Sequence, residues 1–489
     1  MRWISIFLIL CGIASAQINC LVGGVSASNT NAGWFDDDIA VADTFAPGGA
    51  PVESNAGGVV DNDGGNVRIT DAGEFAAAAA DMFVYVDFTD DENTDGRYRI
   101  NSVDGANAIT IDLAFAGDGE NVTLWSVGGA IPIVDGTFEL QDVLDDALSS
   151  AAVDNVDIYV APENSPEVFT ATLDIDTGGG TASTRKRLWA TDTSYVYSKG
   201  NVTFSANGTN LTNGVVRFGT GAGIAYVDII GFVIEGGGAG DAEIGINLPD
   251  EASDDCGIID CTIQNVTENP GQGILIGGDN GYVVNTTIVN TDAGIFAGGF
   301  DGNDYLFDGC RISDSGGDGI FLDGNGCAIT HCTFIDNADD GLVVDATRTH
   351  TRVSHCVFLN NDGDGISIAA DATQTSVTNC ASQGNGGFGY NVLGTNIETV
   401  GQFGWNHSHG ETDCSDTGTW ATLGMGNNII GDPLFENIGD GVEDLGYQDT
   451  SPCLGVGTNE SNIGAGFNDS TAGGGGGYVG SHGKTGGKQ

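Results

Sequence analysis

The stretch "THCTFIDNADDGLVV" (residues 330–344) is followed by "SHCVFLNNDGDGISI" (residues 354–368), nearly the same phrase displaced by 24 residues. Aligning the chain on the cysteine of this phrase puts Phe232, Cys261, Thr286, Cys310, Cys332, Cys356 and Cys380 at one position, most steps being 22 to 25 residues. Two residues later stand Ile234, Ile263, Ile288, Ile312, Phe334, Phe358 and Ser382; three residues earlier stand Ile229, Ile258, Val283, Phe307, Ile329, Val353 and Val377. A further strand opens each time at Gly followed by an apolar or aromatic residue, from Gly245-Ile246 to Gly389-Tyr390. Such columns are expected to face a common core.

A period near 24 with short strands in each repeat leaves few architectures. The L-x-x-L-x-L-x-x-N frame of leucine-rich repeats is absent, and propeller blades need about 40 residues or more. The spacing therefore predicts a parallel β-helix over residues 135–395, all-β, with equivalent positions stacked roughly 4.8 Å apart.

Composition agrees with that reading. The 489 residues include 80 Gly and only 9 Pro, which suits many short strands joined by turns with positive φ. With 68 Asp and Glu against 14 Lys and Arg, the net charge of −54 repels bare phosphate and polyuronate surfaces at long range, so nucleic-acid binding is not expected. Residues 1–16 read as a secretory signal: Arg2, an apolar stretch from Trp3 to Ile13, then Ala14-Ser15-Ala16 before Gln17. No later apolar run is long enough to cross a membrane, so the expected location is secreted or cell-surface.

Residues 17–60 show no clear period and are expected to form a loosely ordered leader. Alternating apolar runs between Met82 and Val127 predict a small antiparallel β unit over 61–130. "TFELQDVLDDALSSA" places Leu140, Val143, Leu144, Ala147 and Leu148 on one helical face directly before the coils, as a helix capping the open end of their core would require. A C-terminal capping region over 396–470 and a disordered Gly-rich tail over 471–489 complete the expected organisation.

The column cysteines are expected to be buried small hydrophobes, with Cys20, Cys414 and Cys453 better placed for disulfides. His331 and His355 fall at a strand corner also occupied by Asn285 and Asn379, which favours hydrogen bonding over metal binding there. His407 and His409 with Asp413 carry a weak metal signal. Asp318, Asp340 and Asp364 share one coil position, with Asp339 and Asp362 adding charge. Carboxylates about 5 Å apart must be relieved by solvent, a raised pKa or a cation such as calcium, unless Asp serves there as a solvated turn former. Arg348, His350 and Arg352, in "DATRTHTR", concentrate basic character that suits either a sugar carboxylate or pairing with nearby Asp.

The helix followed by "IYVAPE", the repeated N-C-x-F-x-x-N and G-I strands, and "GDPLFEN…SPCLGVG…NIGA" resemble the right-handed parallel β-helix proteins of the pectate-lyase-like group, including secreted bacterial and phage-associated members. The resemblance implies a chain that engages extracellular polysaccharide or cell-surface glycan, as a glycoside hydrolase or polysaccharide lyase, or else a non-catalytic adhesin or tailspike-like virion appendage, the last as a homotrimer. By comparison with the N-T-D, D-D, G-H-G and R-I-K motifs of polygalacturonase-type enzymes, "NTDAGI" adds Asp292 as a catalytic candidate beside Asp318, Asp340 and Asp364. The paired Asp is reduced to one, the His is replaced by Asp340, and R-I-K is missing. Acids abound and bases are scarce, so hydrolysis is easier to assemble than β-elimination.

Overall fold

The computed structural model describes residues 17–36, 49–80, 82–89, 93–116, 121–134, 139–149, 155–164, 166–175, 180–181, 184–206, 210–219, 224–237, 243–249, 254–268, 271–346, 348–372 and 374–392, with short strands beyond. The signal segment 1–16, Cys453 and the Gly-rich tail lie outside them, as does most of 396–470.

Three sheets of 12, 11 and 10 strands run along the molecule, each coil adding one strand to each sheet in parallel register. In the first sheet Ile229, Ile258, Val283, Phe307, Ile329, Val353 and Val377 pair in succession. Ile263, Ile288, Ile312, Phe334 and Phe358 do so in the second. Ile246, Ile274, Ile295, Ile320, Leu342, Ile366 and Tyr390 do so in the third. All belong to one continuous core. Stacking is direct: the rings of Phe334 and Phe358 lie 4.8 Å apart and almost parallel.

The corners explain the polar repeats. Between the first and second sheets the backbone is left-handed at Gly231, Asp260, Asn285, Gly309, His331, His355 and Asn379. After the second sheet the same conformation recurs at Asn265, Asn290, Asp314, Asp336, Asn360 and Gly384, and before the first sheet at Asp255, Asn280, Asp304, Gly326, His350 and Gln374. Asn, Asp and Gly tolerate this region best, which fixes their spacing. The Gly opening each third-sheet strand has a different cause. A Cβ on Gly319 would lie 2.5 Å from the carbonyl oxygen of Gly341, and one on Gly341 2.7 Å from that of Gly365, so backbones there approach too closely for any side chain.

Beside this turn runs a buried amide ladder. Asn337 Nδ2 donates to Asn361 Oδ1 and Asn361 Nδ2 to Asn385 Oδ1, both at 2.8 Å, while the backbone amides of Asn337 and Asn361 donate to the same acceptors. The column cysteines Cys261, Cys310, Cys332, Cys356 and Cys380 are free thiols with no exposure, and Cys332 Sγ lies 3.6 Å from the Phe307 carbonyl. Burial pushes the Cys261 thiol up to about 12.

Two expectations are corrected at the N-terminal end. Within the expected loose leader 17–60, the described residues are ordered: Gln17–Gly23 pairs in parallel with Asn155–Ala161 over seven rungs, adding a terminal strand to the first sheet, and Trp34–Asp36 returns antiparallel against it. Cys20, a disulfide candidate in the sequence, is a fully buried cysteine of this strand, in register with Ile158. The side chain of Cys414 lies outside the described residues.

The helix Leu140–Ser149 buries Leu140, Val143 and Leu144 in the coil core. Its Gln141 also satisfies the edge strand Leu173–Ile175, donating to the Asp174 carbonyl at 2.7 Å and accepting the Asp174 amide at 2.8 Å. A seven-stranded antiparallel sheet, from Glu53–Asn55 to Val122–Val127, has its own core around Val84, Val86, Ile109 and Trp125.

Replacing Asn361 by Ala removes one acceptor from the amide ladder and leaves two buried Asn337 N–H groups short of a partner. The expected loss is about 2–4 kcal/mol of stability in urea unfolding, with an unchanged far-ultraviolet spectrum.

Candidate functional site

The outer face of the third sheet is read from its register. Between the inward rows, Asn247, Leu275, Phe296, Phe321, Val343, Ser367 and Asn391 stand above one another and point outward. Leu275, Phe296, Phe321 and Val343 are partly exposed and form an apolar strip four coils long, about 14 Å at the strand spacing. Phe296 and Phe321 stack at 5.4 Å with 6° between ring planes. Asn and Ser replace apolar residues on both sides of the strip.

One edge of this face carries carboxylates. Asp318, Asp340 and Asp364 occupy successive coils, as the repeat predicts, and each is tied to the next through the backbone. Asp340 N donates to Asp318 Oδ1 at 3.1 Å, Asp364 N to Asp340 Oδ1 at 2.6 Å, and Phe388 N to Asp364 Oδ1 at 2.6 Å. Asp364 also accepts from Asn391 Nδ2, and its residue is 9% exposed. The half-buried Asp318 and Asp340 remain accessible, and exposed Asp339 folds toward them, the three offering oxygens all within 4.8 Å of one another.

Burial lifts the Asp318 carboxyl to about 6, helped by the charges of Asp339 and Asp340. Burial likewise lifts Asp340 to about 6, with Asp364 and Asp339 adding repulsion, while the Asp364 amide and the Ser367 hydroxyl favour its charged form. Of the three possible calcium ligands read from the sequence, Asp318 and Asp340 are grouped with Asp339, whereas the carboxylate of Asp364 is engaged by Phe388 and Asn391. Asp292 does not join the column. Its turn is one residue shorter, and its carboxylate lies against Gly316, where a Cβ would come 3.2 Å from Oδ1.

The three basic candidates separate. Arg348 forms an ion pair with Asp323 at the far edge of the third sheet and is neutralised there. His350 and Arg352 belong to the next corner and the first sheet, on another face of the coil. The paired imidazoles of His331 and His355 stack at 5.2 Å on their corner, His331 Nδ1 lying 2.9 Å from Asp308, and burial lowers the His355 pKa. His407 is fully buried; the side chains of His409 and Asp413 lie outside the described residues. Phe296 and Phe321 were legible in principle: in "GIF" at 294–296 and 319–321 the residue after the inward Ile must face outward.

Residues 243–401 match the family model described as "Right handed beta helix region". This stretch is a right-handed β-helix. No curated protein matches the chain. Among solved structures, the β-helix is similar to the Geobacillus virus E2 protein ORF18, with 16% identity over 58% of this chain and 56% of that one and a TM-score of 0.42. The chain thus spans just over half the length of that protein. The periplasmic alginate epimerase AlgG aligns at 12% identity over 57% of this chain and 68% of that one, TM-score 0.32. The catalytic domain of a GH87 alpha-1,3-glucanase aligns at 11% identity over 78% and 96%, TM-score 0.32. At such distances function has to be read from the side chains.

The raised carboxyls have a sign that can be tested. A carboxyl whose pKa is higher folded than unfolded binds its proton more tightly in the folded state, so its contribution is present below about pH 4 and lost as pH rises through 6. Discounted for solvent screening, each contributes on the order of 1 kcal/mol. Asp340→Asn should lose less stability than wild type between pH 4 and pH 6, measured as the difference between their urea midpoints at each pH.

Proposed function

We propose that the β-helix binds an extracellular polysaccharide along the outer face of its third sheet and hydrolyses it with Asp318 and Asp340. The observation that carries this reading is the juxtaposition of a partly exposed Leu275–Phe296–Phe321–Val343 strip with two half-buried carboxyls raised to about 6. An elongated apolar strip bordered by hydrogen-bonding side chains suits a sugar chain, whose C–H faces pack on it while its hydroxyls meet the flanking Asn and Ser.

The two carboxyls divide the chemistry. Asp340 accepts from the Asp364 amide and the Ser367 hydroxyl, so it is the better anion; Asp318 accepts from one backbone amide and is the better keeper of a proton. Asp318 would protonate the glycosidic oxygen as its C–O bond breaks, and Asp340 would bond to the anomeric carbon. Water would then attack that carbon, give its proton to Asp318 and release Asp340. Carboxyls about one coil spacing apart lie near the separation of retaining glycosidases, so retention of configuration is expected. β-Elimination is poorly served, because Arg217, in register with Asn247 on this sheet, is paired with Asp174, and Arg348 at its edge is paired with Asp323.

Calcium is an alternative occupant of the Asp318, Asp339 and Asp340 oxygens, with water completing its six to eight ligands. It would raise the melting temperature of the wild type at millimolar concentration and leave Asp339→Asn unmoved.

The decisive measurement is binding and reducing-end release on a panel of neutral and acidic polysaccharides. Phe321→Ala should weaken binding about tenfold, and Asp318→Asn should abolish cleavage at least 100-fold while retaining binding. Equal binding by wild type and Phe321→Ala would remove the third sheet as the glycan face; unimpaired cleavage by Asp318→Asn would remove the acid role.

A further inference from the structure

A second place outside the carboxylate edge carries chemistry. On the outer face of the first sheet, a half-open cavity of about 440 Å³ is lined by His350, Arg352, Gln374, Ser376 and Thr378. The repeat builds this lining from two coils. His350 and Gln374 are left-handed corner residues one coil apart, whereas Arg352 and Ser376 are register partners, as are Ser354 and Thr378. The cavity therefore has a basic lower rung and a neutral, hydrogen-bonding upper rung.

Its charge is out of keeping with the molecule. The chain carries 68 carboxylates and 14 Lys and Arg, yet none of these lining side chains is acidic. Elsewhere the arginines are committed: Arg185 to Asp228, Arg187 to Asp157, Arg217 to Asp174 and Arg348 to Asp323. Arg352 is exposed and, among the described residues, has no carboxylate within ion-pair distance. The acidic positions in the columns beside it, Asp304 and Asp308, are two coils away, and Asp308 is held by Thr330 and His331. Left unpaired, the Arg352 guanidinium keeps its full fork of donors for a ligand, in a concave wall whose other groups are an amide, two hydroxyls and an imidazole.

We propose that this cavity is a binding subsite for an anionic sugar, one bearing a carboxylate or a sulfate ester. Arg352 receives the anion through paired N–H donors, and Gln374, Ser376, Thr378 and His350 bind the sugar hydroxyls around it. The subsite lies on a different sheet from the carboxylate edge and stands independently of the hydrolytic reading.

The full chain is titrated by calorimetry in 0.15 M NaCl with three oligosaccharides of equal length, one of uronates, one sulfated and one neutral. At least one acidic oligosaccharide should bind, and Arg352→Gln should weaken it tenfold or more, with Arg352→Lys between the two because it keeps charge and loses the fork. Ser376→Asp, which puts a carboxylate on the upper rung, should abolish acidic-probe binding at an unchanged melting temperature. Preference for the uronate or the sulfated probe identifies the anion. The neutral oligosaccharide should bind wild type and Arg352→Gln alike, which separates the subsite from the third-sheet face. Failure of both acidic probes to bind wild type, or equal affinity in wild type and Arg352→Gln, overturns the proposal.

Discussion

Each coil must turn three corners and still place its strands directly over those of the coil below. Left-handed backbone at one residue per corner meets the first demand, and a side chain that matches its neighbour one strand spacing away meets the second. The remaining features follow from these two. Asn, Asp, Gly and His gather at corners; Ile, Val and Phe form inward rows; and Gly is required where successive backbones nearly touch at the entrance to the third sheet.

The same constraint places the chemistry. A solenoid cannot easily gather distant residues into a pocket, but it repeats one position at a fixed interval, so three acids at one turn become a ladder. That ladder is stabilised in part by its own backbone, since Asp318 and Asp340 each accept the amide of the next aspartate and Asp364 that of Phe388. Charges crowded by the repeat thus acquire fixed partners, and the half-exposed Asp318 and Asp340 hold a raised proton affinity.

The coils were legible in the sequence because period and inward columns report the same geometry twice; the Cys column and the Asp column fell where the repeat put them. What was missed lacked that redundancy. Gln17–Gly23 pairs with a coil without sharing its frame, so nothing in its residues announces the partner. Asp292 matched a motif, but a turn shorter by one residue moves it off the column, and a motif cannot see that offset. Arg348, His350 and Arg352 sit within five positions of one another, yet a corner lies between them and sends them to different faces. Proximity along a coil that bends sharply is a poor guide to proximity in space.

The N-terminal closure has a bearing on how these molecules behave in company. Stacked strands at about 4.8 Å have the spacing of a cross-β fibre, and a bare terminal coil would offer three rows of unpaired amides and carbonyls to the next molecule. Here the first sheet ends in a strand that reverses direction at Trp34–Asp36, the third sheet ends on the amide of Gln141, and the helix Leu140–Ser149 lies over the apolar interior between them. Two of these devices occupy the ends of the first and third sheets and the other covers the interior, so at this end a neighbouring molecule finds fewer open strand edges and no apolar floor to settle on. A chain cut at residue 155 would lose all three at once and turn the end of a discrete particle into a nucleus for growth.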